Sequence, residues 1–140
     1  MNIDPIKNGI VIDHITAGKG MELYKLLGLD TLDCSVALIK NVQSKKMGRK
    51  DIIKIDSDFD INTDILGYVD PFVTVNIIKD SKRAEKKTID LPKKLINVLF
   101  CKNPRCITSC EQEMDHIFFL TDKLNRIYRC KYCEAKANNH

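Results

Sequence analysis

The chain has 140 residues, 44% of them hydrophobic and 30% charged, with a formal net charge of +4. That length allows one domain or two small ones, and the composition is that of an ordinary globular chain. Its longest apolar runs, such as Phe72-Val73-Thr74-Val75 and Ile117-Phe118-Phe119-Leu120, are far too short to span a bilayer, and the N-terminus lacks a basic-then-apolar signal, so a cytoplasmic address away from any membrane is expected.

Gly9-Ile10-Val11-Ile12-Asp13-His14-Ile15 reads as a first strand. Thr16 is placed to cap a helix whose apolar stripe is Met21, Leu23, Tyr24, Leu26 and Leu27, with Gly28 ending it. A second strand follows from Cys34 to Val42 and a third from Lys50 to Asp56, joined as a hairpin through Gly48. Asp60 or Asn62 can cap a short helix running to Leu66 and closed by Gly67. A fourth strand, Phe72 to Ile78, turns at Asp80-Ser81 into a charge-rich fifth, Lys82 to Ile89, whose lysines suit a sheet edge. The order β-α-β-β-α-β plus a hairpin partner predicts a ferredoxin-like split βαβ sandwich in an α+β chain. Pro92 opens a short helical linker, residues 92–98, containing Leu95, Ile96 and Val98. A small β unit with strands at 116–121 and 125–131 completes the chain.

Cys101 and Cys106 are spaced C-x4-C, and Cys130 and Cys133 C-x2-C. Two short knuckles facing each other supply the four soft ligands of a tetrahedral zinc site, and in a reducing compartment paired cysteines favour metal over disulfide. Four thiolates leave no open position, so the zinc-ribbon-like unit is structural and too small to fold without its ion. Cys34 reads as a small buried hydrophobe, while Cys110, His116 and His140 are substitute ligands of low standing. Residues 101–140 hold seven Lys/Arg against five Asp/Glu; adding the −2 of a zinc tetrathiolate leaves this unit near neutral. Nucleic acid, the commonest partner of zinc ribbons, calls for a concentrated basic face.

Three further groups of residues bear on function. Asp13-His14 sets a carboxylate beside a base, but neighbouring strand residues point to opposite faces, so the pair reads as structural. Lys50 and Lys54 share a face of the third strand, and Lys86 and Lys87 lie on the edge strand. Lysine acts as a point charge for phosphate, although a solvated strand face has the same composition. No Walker or G-x-G-x-x-G loop is present, so any nucleotide would be held by scattered side chains.

Met47-Gly48-Arg49-Lys50-Asp51, the first strand, Thr74-Val75-Asn76 and the four-cysteine layout together resemble the aspartate carbamoyltransferase regulatory chain family over essentially the whole length. The resemblance implies a non-catalytic subunit in pyrimidine biosynthesis. Residues 1–91 would bind nucleoside triphosphates (ATP and CTP, with UTP a third candidate) and form a homodimer. Residues 92–98 would be the linker, and residues 99–140 would hold one zinc ion and dock onto trimers of catalytic chains. It further implies Asp13 and Lys54 at the ribose and His14 and Lys86 near the phosphates. Ile6, Val11, Asn76 and Ile78 would line the base and ribose pocket, with Lys50 adding positive potential. In the turn where family members carry an aromatic and an apolar residue, this chain has Ser81-Lys82-Arg83, so base preference is not implied. Three rivals stand beside this reading: a nucleic-acid-binding zinc ribbon, a small enzyme using Asp13 and His14, and a metal-stabilised adaptor.

Overall fold

The structure, a computed structural model, describes residues 7–137 and divides into two units, Met1–Asp90 and Leu91–His140. The first unit contains strands β1 (Gly9–Thr16), β2 (Val36–Ser44), β3 (Gly48–Ile55), β4 (Thr74–Lys79) and β5 (Lys82–Thr88), with helices α1 (Gly20–Leu26) and α2 (Thr63–Val69). The strands form one antiparallel sheet in the order β2-β3-β1-β4-β5. β1 and β2 enclose β3, and α2 carries the chain across to place β4 on the other side of β1. This is the ferredoxin-like order, with β5 added at the edge.

Strand periodicity fixes which face each residue takes. Along β3, Asp51, Ile53 and Ile55 are buried while Lys50, Ile52 and Lys54 are half-buried on the opposite face. Ile10 and Ile12 of β1, Val73 and Val75 around β4, Leu23, Leu66 and Val69 of the helices, and Leu27 at the C-cap of α1 complete the core. Each such side chain, fully buried, contributes about 1.5–3 kcal/mol.

Several local expectations change. Thr16 does not cap α1; Lys19 is the N-cap residue and its side chain makes no capping bond. The acceptor comes instead from across the core, where Asp51 Oδ2 takes the N–H groups of Gly18 (3.1 Å) and Gly20 (3.0 Å), and Oδ1 takes that of Asn41 (2.9 Å). Gly20 lets the helix start approach that carboxylate: a Cβ there would sit 2.8 Å from Asp51 Oδ2. Asn62 caps α2 by accepting from Asp64 and Ile65. Gly67 does not close that helix but lies buried inside it; Pro71 disfavours helical backbone at Asp70, which is extended.

The second unit is a three-stranded sheet, β6 (Lys94–Ile96), β7 (Ile117–Asp122) and β8 (Ile127–Cys130), in that order, plus a one-turn helix α3 (Ile107–Cys110). The helix expected within residues 92–98 is therefore a strand. Leu95, fully buried, pairs with Phe118, because three residues on the free edge of β7 gain a ladder that an isolated turn of helix lacks. The Tyr128 hydroxyl donates to the Pro92 carbonyl at 2.7 Å and pins the start of this unit.

Candidate functional site

The four cysteines come from the segment after β6, the N-cap of α3, the end of β8 and the turn beyond it. Their sulfurs all lie within 4.8 Å of one another, with Cys101 Sγ 3.5 Å from Cys133 Sγ and Cys106 Sγ 3.7 Å from Cys130 Sγ. Sulfurs about 2.3 Å from a central ion at tetrahedral angles are roughly 3.8 Å apart, so the cluster fits a tetrathiolate metal site. Burial pushes the Cys101 thiol up to about 12, while the Ala135 N–H holds Cys133 down to about 6. Left to themselves these sulfurs do not ionise together; a divalent cation makes all four thiolates.

Two residues support the cluster that spacing alone did not single out for these roles. The Thr108 hydroxyl donates to Cys106 Sγ at 3.0 Å. His116 is not a ligand: its Nδ1 accepts the Cys101 N–H at 3.1 Å while its ring meets Phe100 edge-on. Cys110 is exposed on α3 outside the cluster, and Cys34 packs partly buried against the first unit's core. His140 lies outside the described residues, as does Ile6.

On the first unit, the face of the sheet opposite the helices collects the remaining singled-out residues. Ala37, Lys54, Val11, Asn76 and Lys86 form one row across all five strands, each directly opposite the next. Directly opposed residues share a face, and strands are about 4.8 Å apart, so Lys54 and Lys86 bracket a span of roughly 14 Å. Asn76 Oδ1 is buried in this row with no hydrogen-bond partner. Ile78 lies two residues along β4 on the same face.

Asp13 and His14 depart from simple alternation. His14 has φ 58°, and the register slips between Ile12 and Ile15, so β1 carries a bulge. That extra residue returns Ile15 to the core and leaves both polar side chains on the open face. His14 Nδ1 lies 3.0 Å from the hydroxyl of Thr74, which is paired with Asp13. Asp13 Oδ1 accepts the His14 N–H at 2.7 Å and lies 3.0 Å from Lys50 Nζ. Burial alone would push the Asp13 carboxyl up, but Lys50 and that N–H outweigh it and hold it below its ordinary value. The bulge thus makes the side-by-side pair that alternation forbids, and Thr74 is the anchor sequence reasoning missed.

A closed four-thiolate centre in a chain that also carries a ferredoxin-like sandwich defines a two-domain, metal-stapled protein whose ion has no place for a substrate. Residues 1–90 match the family model for the aspartate carbamoyltransferase regulatory chain, allosteric domain, and residues 93–140 match that for the same chain's metal binding domain. Similar curated proteins carry the name aspartate carbamoyltransferase regulatory chain. One from Clostridium tetani (strain Massachusetts / E88) is 51% identical over 135 residues, 96% of this chain and 94% of the relative. One from Clostridium botulinum (strain Hall) is 50% identical over 134 residues, 96% and 92% of the two chains. One from Bifidobacterium longum (strain NCC 2705) is 41% identical over 137 residues, 98% and 99%. The chain belongs to the family of aspartate carbamoyltransferase regulatory chains. It is a regulatory, non-catalytic chain with an allosteric domain and a metal-binding domain.

Proposed function

We propose that this chain binds nucleoside triphosphates on the open face of its first unit and conveys their effect to carbamoyltransferase catalytic chains through its metal unit. The observation that carries the proposal is the row Lys54-Val11-Asn76-Lys86, with a buried Asn76 oxygen left unpartnered between two cations. A triphosphate needs positive charge and hydrogen-bond donors, which Lys86 and the His14 ring supply, while Lys50 raises the local potential. Asp13 and Lys54 hold the ribose; Val11, Asn76, Ile78 and Ile6 receive the base. ATP, CTP and UTP share the triphosphate and ribose these groups grip.

The ion is one zinc per chain, the metal a closed tetrathiolate suits best. Exposed Ile96, Phe100, Ile107 and Phe119 give the second unit an apolar surface for a catalytic trimer. Two chains pair through residues 1–91, and the segment 92–98 couples effector site to docking surface. No helix among the described residues is long and apolar enough to cross a membrane, and the site of action is the cytoplasm. An effector with different affinities for two holoenzyme states shifts their balance, typically by about 1–3 kcal/mol.

The test is reconstitution. The chain is mixed with an aspartate carbamoyltransferase catalytic trimer, and ATP and CTP are titrated while carbamoyltransferase activity is followed. A complex that answers to at least one nucleotide is expected; absence of both complex and response ends this reading.

A further inference from the structure

The open face continues past the Asn76 row toward the β4–β5 turn, and there it carries a cation that the effector reading above does not use. Ile78 is directly opposite Gly9 on one side and Arg83 on the other. Arg83 therefore shares the face of Ile78, Asn76 and Lys86, despite a register slip in β5 between them. Its position is held by the turn. Asp80 and Ser81 both take left-handed backbone, φ 53° and 65°, a two-residue reversal usually given to Asn-Gly. That turn is tied to the segment before β1, where the Ser81 N–H donates to the Lys7 carbonyl (2.9 Å) and the Asp80 N–H to Asn8 Oδ1 (3.2 Å). Gly9, itself buried, puts no side chain on this face beside Ile78.

Along β5, Arg83 and Lys86 stand roughly 7–10 Å apart. With Lys86 at the phosphates, Arg83 falls at the base end of a bound nucleotide. A guanidinium has five N–H donors and no acceptor. It donates to the carbonyl that uracil carries at its 4-position and guanine at its 6-position, the latter beside the N7 acceptor, and it opposes the amino group that cytosine and adenine carry at those same positions. We propose that Arg83 selects the base, favouring triphosphates of uracil and guanine over those of cytosine and adenine. This rests on the effector-site reading above, and it ranks ligands that the shared triphosphate and ribose cannot tell apart.

Calorimetric titration of the full chain with UTP, GTP, CTP and ATP separates the possibilities. In the unmodified chain, UTP and GTP are expected to bind about tenfold more tightly than CTP and ATP. Arg83→Ala, a change on an exposed edge strand, should bring all four to within about twofold of one another. Lys86→Ala should weaken all four by one factor and keep their ratio. Equal binding of the four by the unmodified chain overturns the selection by Arg83 and leaves the effector site standing. So does a preference that survives Arg83→Ala, or an Arg83→Ala loss that is uniform across the four, which is the mark of a phosphate contact. Failure of any nucleotide to bind overturns both this inference and the effector site.

Discussion

The two units reach stability by different routes. Twelve buried apolar side chains form the core cluster of the first, where every strand of the sheet but β5 contributes a buried or packed apolar residue against α1 and α2. In the second, the buried set among the described residues is Leu95, Phe118, Tyr128 and Ala137, with Thr108 and the cysteines Cys106 and Cys130. Two of those are metal ligands, so a third of its buried apolar side chains do their work only when an ion is bound. A chain segment near 50 residues rarely closes a sufficient core without a staple. The lesson is a division of labour: the first unit folds on hydrophobic burial and tolerates the buried Asn76 Oδ1 without a hydrogen-bond partner, whereas the second uses its polar groups to fold.

The strongest way to break this contrast is to remove the metal. Structural zinc contributes on the order of 10–16 kcal/mol to small domains. A thiol-competing chelator, or Cys130→Ser, should collapse the amide NMR signals of Leu95, Phe118 and Tyr128 while those of Ile12, Ile53 and Leu66 persist. Simultaneous loss of both sets would erase the distinction. Next in size is Asp51→Ala, which strips three backbone N–H groups of their acceptor inside the first unit. A cost of about 3 kcal/mol or more is expected in urea unfolding of that unit, with metal content unchanged. Gly20→Ala drives a methyl onto the same carboxylate and Leu38, and should cost about 1–3 kcal/mol; a neutral result would mean α1 can shift without loss.

The smallest effect concerns acid. Asp13 has a folded-state pKa below its unfolded value, so its contribution to stability is complete above the unfolded pKa and is lost as pH falls through the folded one. Asp13→Asn should flatten the acid side of the first unit's stability profile by lowering the neutral plateau slightly, with stability at low pH nearly unchanged. Lys50→Met should do the same, since both remove one partly exposed ion pair. A steeper acid limb in either variant would contradict the assignment.

Much of this was legible from residue order. The strand–helix sequence, the Gly28 and Asn62 punctuation and the cysteine spacing are local or periodic signals, and they led to the fold class and the metal cluster. The helix assigned to residues 92–98 failed because its pattern is too short to separate periods of 2 and 3.6. What decided it was the free edge of β7, a neighbour more than twenty residues away in the chain.

The sequence by itself determined the two-unit plan and the four ligands, because hydrophobic period and knuckle spacing are properties of short stretches. Only the tertiary structure decided that Lys54, Val11, Asn76 and Lys86 form one row, since register between strands is set by turns and by which face is buried. It alone showed the bulge that brings Asp13 and His14 together and the alignment of Arg83 with Ile78. Each depends on a one-residue slip in pairing, and a slip leaves no mark in composition or period.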